Sequence, residues 1–156
     1  MTRLMGEFTV TLNVRERSFA MKKEEEIIEN SRVVAMVGLS SNPERPSNRV
    51  ARYLMENGYK VIPVNPNEKE ILGETCYPDL GSIGQAVDMV DIFRKSEDVL
   101  PIAEEAVRIG AKVVWMQEGV INEEAAILAR RAGLEVVMNK CVRKVHIGSH
   151  GGDPEA

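Results

Sequence analysis

Five short apolar runs punctuate the chain: "RVVAMVG" (32–38), "YKVIPVN" (59–65), "MVDIF" (89–93), "AKVVWMQ" (111–117) and "LEVVMN" (134–139). They are rich in β-branched residues and do not alternate polar with apolar positions. Runs of this length and kind predict strands buried on both faces. The stretches between them carry helical spacing. In "SNRVARYLMENG" (47–58), Val50, Tyr53 and Leu54 fall on one face, Ser47 is placed to cap the start, and Gly58 follows the end. In "SEDVLPIAEEAVRIG" (96–110), Ser96 is the expected cap, Glu97 and Asp98 suit the positive helix end, and Gly110 stops the helix. "NEEAAILARRAG" (122–133) repeats the pattern with Asn122, two acids, Arg130, Arg131 and Gly133. "GETCYPDLGSIG" (73–84) predicts a connection with a short helical turn.

Strand–helix alternation with buried strands predicts an α/β fold. Right-handed crossovers make it a doubly wound, parallel, five-stranded sheet of Rossmann type, with expected order 3-2-1-4-5. Such sheets bind ligands beyond the strand C-termini, where the order reverses. For this order the crevice falls between the first and fourth strands. Chemistry is therefore expected in "GLSSNPERPSN", "VNPN", "FRKSED" and "MQEGVIN".

The 156 residues suffice for one domain. Residues 1–20 are expected to be an extension, 21–145 the domain, and 146–156 a flexible polar tail ending "GSHGGDPEA". A net charge of −4 argues against a nucleic-acid partner. No apolar run approaches the roughly 18 residues of a membrane span. Cys76 and Cys141 lack metal-ligand spacing and a disulfide pattern, so a reducing cytoplasmic setting without a metal site is expected.

The first turn has a single glycine, Gly38, where dinucleotide fingerprints use three. It offers instead a helix N-terminus, Ser40, Ser41 and Asn48, with Arg45 and Arg49 suited to phosphate. NAD sites place an acid after the second strand for the ribose diol. Here that strand ends "VIPVNPN", and the next acid is Glu68. A neutral, amide-rich end suits a phosphorylated ribose. NADP and coenzyme A both satisfy this requirement.

Taken in order, "VAMVGLSSNPERPSNRVARYLMENGYKVIPVNPNEKEILGETCYPDL", "VDIFRKSEDV" and "WMQEGVINEEAAILARRAGLEVVMNKC" resemble the stand-alone CoA-binding domain family. That family is related to the N-terminal domain of the succinyl-CoA synthetase alpha subunit. The resemblance runs from about Val33 to Cys141. It implies that Gly38, Ser40, Asn42, Arg45 and Ser47 surround the diphosphate and that Val64, Asn65 and Pro66 flank the adenosine. It further implies that Phe93 and Arg94 line the adenine and phosphate side, and that Met116 and Gln117 face the pantetheine arm. Family members often carry a basic residue just after "VNP" for the 3′-phosphate; this chain has Asn67, with Lys69 two positions on.

In the synthetase relatives the reaction uses a phosphorylated histidine in a second domain, and no counterpart of it is expected within these 156 residues. The chain's own histidines, His146 and His150, fall in the expected tail. Glu118 and Cys141 are the crevice-side candidates for chemistry, with better structural roles as a loop hydrogen-bond partner and a small buried residue. The expected function is non-catalytic binding of CoA or an acyl-CoA as carrier, sensor or regulatory module. The alternatives are a CoA-site subunit of a split acyl-CoA ligase and an NADP-binding protein. A homo-oligomer or a ligase partner is compatible with the sequence.

Overall fold

The computed structural model of the chain describes residues 22–155; the expected extension, 1–20, lies outside the described residues. Five parallel strands form the central sheet: β1 (Val33–Val37), β2 (Lys60–Val64), β5 (Met89–Ile92), β6 (Val113–Met116) and β7 (Glu135–Val137). A separate antiparallel hairpin, β3 (Glu70–Ile71) with β4 (Glu74–Thr75), sits between β2 and β5 in the chain. The helices are α1 (Lys23–Glu29), α2 (Pro46–Glu56), α3 (Val99–Arg108), α4 (Glu123–Arg131) and α5 (Val142–Ser149).

Strand side chains alternate between two cores. Ala35, Val37, Val90, Ile92, Val114 and Met116 pack with Val99, Ala103 and Ala106 of α3 and Ala125, Ala126 and Ala129 of α4. Val34, Met36, Met89, Val113 and Trp115 pack on the other face with α1, α2 and α5 through Ile28, Val50, Leu54 and Val142. Both faces of a parallel sheet are thereby covered, which its two-sided apolar strands require.

The doubly wound parallel α/β class is the one the alternation implies. The strand order differs in one respect. It is β2-β1-β5-β6-β7, so in chain order the parallel strands lie 2-1-3-4-5 and the third is beside the first, not outside the second. Two features dictate this. All four residues of β5 are buried, as an interior strand needs. Pro63 in β2 has no N–H to give a further neighbour, and its carbonyl accepts instead from the Tyr77 N–H of the loop that covers this edge (3.0 Å). The reversal of winding, and with it the crevice, therefore lies between β1 and β5.

Several local expectations are corrected. The first-turn helix starts at Pro46, with Arg45 in the cap position, so Ser47 is not its cap. Proline fits the first helical position because it has no N–H to leave unpaired. Ser96 opens a 3-10 turn (Ser96–Asp98), and its hydroxyl instead accepts from the Ile121 N–H at 2.9 Å. Asn122 does cap α4, accepting from the Ala125 N–H at 2.9 Å. The tail boundary at 146 falls inside α5, which continues to Ser149. His146 is buried there, bonded through Nδ1 to the Tyr53 hydroxyl at 2.5 Å and stacked on His150. Burial and the neighbouring His150 hold the His146 imidazole below its ordinary pKa. The aromatic face of Tyr53 gives this polar stretch a reason to fold back on the domain.

Candidate functional site

A cleft of about 890 Å³ opens beyond the C-terminal ends of β1, β5 and β6. Its size is within the range of small-molecule sites. One wall is the turn after β1 and the start of α2: Gly38, Ser40, Arg45, Pro46, Ser47 and Val50. The second is the loop leaving the end of β5: Phe93, Arg94, Lys95 and Asp98. Gln117, Glu118, Val120 and Cys141 complete it beyond β6 and β7.

The turn after β1 keeps its shape with one glycine because side chains do the work that glycines do elsewhere. The Ser47 hydroxyl accepts from the Ser40 N–H (3.0 Å), the Ser40 hydroxyl from the Asn42 N–H (3.1 Å), and Asn42 Oδ1 from the Glu44 N–H (3.0 Å). The buried Asn48 amide donates to the Ser40 carbonyl (2.8 Å). Arg52 clamps the assembly from outside, donating to Asn48 Oδ1 and to the Pro43 carbonyl, both at 3.0 Å. These bonds have a consequence for an anion. A glycine-rich loop offers free backbone N–H groups, whereas here the N–H groups of Ser40, Asn42 and Glu44 are already used. The positive potential of the α2 N-terminus must be supplemented by side chains. Arg45, Arg94 and Lys95 are exposed at the cleft, and among the described residues none is in an ion pair.

Gly38 is required where the two walls meet. Its φ is +88°, and a Cβ built there would lie 2.3 Å from the Phe93 carbonyl oxygen and 2.9 Å from Arg94 Cδ. It thus allows the ends of β1 and β5 to approach at the mouth of the cleft.

The expected site residues divide into three groups. Gly38, Ser40, Arg45, Ser47, Phe93, Arg94 and Gln117 all line the cleft. Val64, Asn65 and Pro66 lie on its β2 side, outside the lining: Val64 is buried, Pro66 is exposed, and Asn65 ties the two turns together through its amide to the Leu39 carbonyl (3.0 Å). Asn42 is exposed in the turn, and Met116 is fully buried against α3 and α4. Trp115 is core, with its indole N–H donating to the Lys140 carbonyl at 2.7 Å. Glu118, expected to be a loop hydrogen-bond partner, pairs instead with Lys144 of α5 at 3.1 Å.

Cys76 is buried beside β2. Cys141, expected to be a small buried residue, is only half-buried and reaches the cleft. Burial pushes its thiol up, the Lys144 and Arg143 backbone N–H groups pull the other way, and the charges of Asp91 and Glu118 add to the rise.

One group was not anticipated. Asp91, in the middle of β5, is completely buried; its Oδ1 accepts from Gln117 Nε2 at 2.8 Å, and its Oδ2 has no partner. Burial pushes its carboxyl up to about 7, against the pull of the Gln117 hydrogen bond. The signal was present in "MVDIF": an acid inside an otherwise apolar run is costly unless it has a role.

A parallel doubly wound sheet with a cationic cleft at its switch point defines a nucleotide-type ligand-binding domain. The chain matches the CoA binding domain family over residues 32–147 and belongs to it. It is 39% identical over 121 residues to the Bacillus subtilis protein YneT, covering 78% of this chain and 90% of that one. A solved structure of a hypothetical protein from Pyrococcus horikoshii OT3 superposes with a TM-score of 0.77 at 42% identity, covering 79% of this chain and 87% of that one. Similarity also extends to the ADP-forming acetate–CoA ligase II of Archaeoglobus fulgidus: 32% identity over 93 residues, 58% of this chain but 14% of the ligase. Among the described residues, no helix is long and apolar enough to cross a membrane, and no cluster of three or more His, Cys, Asp or Glu could hold a metal ion.

Proposed function

We propose that this protein binds coenzyme A, free or acylated, in the cleft between β1 and β5, as a carrier or sensor with no catalytic step of its own. The observation that carries this reading is the cationic set formed by Arg45 at the α2 N-terminus and Arg94 and Lys95 on the facing β5 loop, none of them in an ion pair among the described residues. It matches a ligand bearing a diphosphate. The end of β2 itself carries no acid: Asn65 holds the adjoining turn, and Glu68, the first acid beyond it, is engaged by the Ser41 hydroxyl (2.9 Å), which favours a phosphorylated ribose over the free diol of NAD. In this reading Gly38, Ser40, Asn42, Arg45 and Ser47 surround the diphosphate. Val64, Asn65 and Pro66 flank the adenosine, Phe93 and Arg94 line the adenine and phosphate side, and Gln117 faces the pantetheine arm. Met116 supports Gln117 from the core.

The likeness to an ADP-forming ligase favours a second reading, in which this chain supplies the CoA site to a ligase partner. Turnover of acetate, CoA and nucleotide triphosphate that appears only with such a partner added would select it.

A charge-assisted hydrogen bond from Arg45 to a phosphate is worth about 1.5–3 kcal/mol, and about 1.4 kcal/mol is tenfold in affinity. Arg45→Ala is therefore expected to weaken CoA binding roughly ten- to a hundredfold by calorimetry. Arg108→Ala, at the far end of α3, is expected to leave it unchanged. Equal losses in both variants would show that only general charge matters and would remove the site assignment.

A further inference from the structure

The sheet order gives a direction to any ligand lying across the strand ends. From β2 the sequence of neighbours is β1, β5 and β6. With adenosine at β2 and diphosphate over the β1–β5 gap, the sulfur end of CoA reaches β6 and Gln117. This inference rests on the CoA reading above and asks what that end of the cleft recognises.

Gln117 is 3% exposed yet lines the cleft. A primary amide has a donor end and an acceptor end, and only one can face the ligand. Here Nε2 is turned inward to Asp91 Oδ1, at 2.8 Å. An ionised carboxylate can only accept, so it holds the amide this way and leaves the carbonyl oxygen toward the cleft. A protonated carboxyl can donate. With the proton on Oδ1, the oxygen that faces Gln117, the carboxyl would donate to Gln117 Oε1, which turns the amide over and presents Nε2 to the cleft; Oδ2, the oxygen without a partner, is then a neutral carbonyl.

We propose that Gln117 reads the sulfur end of the ligand, and that the buried Asp91 carboxyl selects which end of the amide it shows: an acceptor for a thiol, or a donor for a thioester carbonyl. Free CoA is preferred in the first state and acyl-CoA in the second. Burial brings the Asp91 carboxyl up to about 7, so both states are reached near neutral pH. Few charges compete for this control. The lateral neighbours of Asp91 are Met36 on β1 and Trp115 on β6; α2 and α5 cover this face with Val50, Ala51, Leu54 and Val142, and α5 also carries the buried His146, which is bonded to Tyr53. The cleft beside Gln117 also holds Cys141, whose thiol feels Asp91, and Glu118, which is paired with Lys144.

The test is calorimetric titration of the full chain with CoA and with acetyl-CoA from pH 5.5 to 8, below the ordinary thiol pKa of about 8.5. The phosphates are common to both ligands, so their titration cancels in the ratio of affinities. The ratio of CoA to acetyl-CoA affinity is expected to rise about three- to tenfold across this range, the worth of one neutral hydrogen bond. In Asp91→Asn, which keeps the shape and cannot ionise, the ratio is expected to be flat with pH. Gln117→Leu, which removes both ends of the amide, is expected to be flat as well. A ratio independent of pH in the unmodified protein, or a slope that survives in either variant, would overturn the proposal while leaving the CoA site intact. Binding of neither ligand would overturn it together with the reading on which it rests.

Discussion

Replacing Gly38 by alanine is expected to abolish ligand binding and to lower stability by about 3 kcal/mol or more. Two effects add. The backbone is at φ +88°, where an L side chain is strained. The new methyl would also meet the Phe93 carbonyl oxygen at 2.3 Å. Backbone on the neighbouring strand cannot yield as a flexible side chain can, so β1 and β5 must separate where the cleft opens. For a chain of this size, about 3 kcal/mol corresponds to a fall of roughly 6–12 °C in Tm. Thermal denaturation measures this directly. Gly58→Ala is the comparison: its φ is +86°, but nothing lies within 4 Å of a Cβ there. It isolates the conformational strain, and it should cost clearly less and leave the cleft intact. Equal losses at the two sites would show that the close approach at Gly38 contributes nothing.

Asp91→Asn is expected to stabilise the protein, by an amount that grows as pH rises from about 4 to about 7. The Asp91 carboxyl titrates at about 7 in the folded protein, compared with 3.8 ordinarily. Between those values the folded chain holds a proton that the unfolded chain has lost. Stability therefore falls as pH rises from about 4 to about 7 and is then level. Roughly three pH units at about 1.4 kcal/mol each give a penalty of about 4 kcal/mol at pH 8. Asparagine cannot ionise and escapes it. Urea denaturation should show the variant more stable at pH 8 by several kcal/mol and nearly equal at pH 4. A difference of the same size at both pH values would mean that ionisation of Asp91 is not the cause.

The fold class is legible because its determinants are local. Buried β-branched strands, Asn122 as a cap, and glycines at 58, 110 and 133 (each at positive φ) all mark elements by their own chemistry. The position of the third strand is not legible in the same way, though Pro63 already marks β2 as an edge. Its meaning depends on which side of β2 the missing N–H faces, and that is a property of the assembled sheet. Ser47 and Ser96 mislead for a related reason. Both are good caps in isolation, but each hydroxyl is engaged by a backbone N–H from another turn. His146 lies in a stretch polar enough to be taken for a tail, and contacts with the distant Tyr53 and Tyr59 make it structural. In the site, the turn residues and Arg94 can be found by their place after a strand. Asp91 stands out in "MVDIF" as an acid within an apolar run, but the sequence does not show that its carboxyl meets Gln117.

The most direct measurement is side-by-side titration calorimetry of the full chain with CoA, acetyl-CoA, NADP and NAD. Saturable binding of CoA or acetyl-CoA, tighter than NADP and with NAD weakest, is the expected result. Binding of NAD with no binding of either CoA species would contradict assignment of the β1–β5 cleft to coenzyme A.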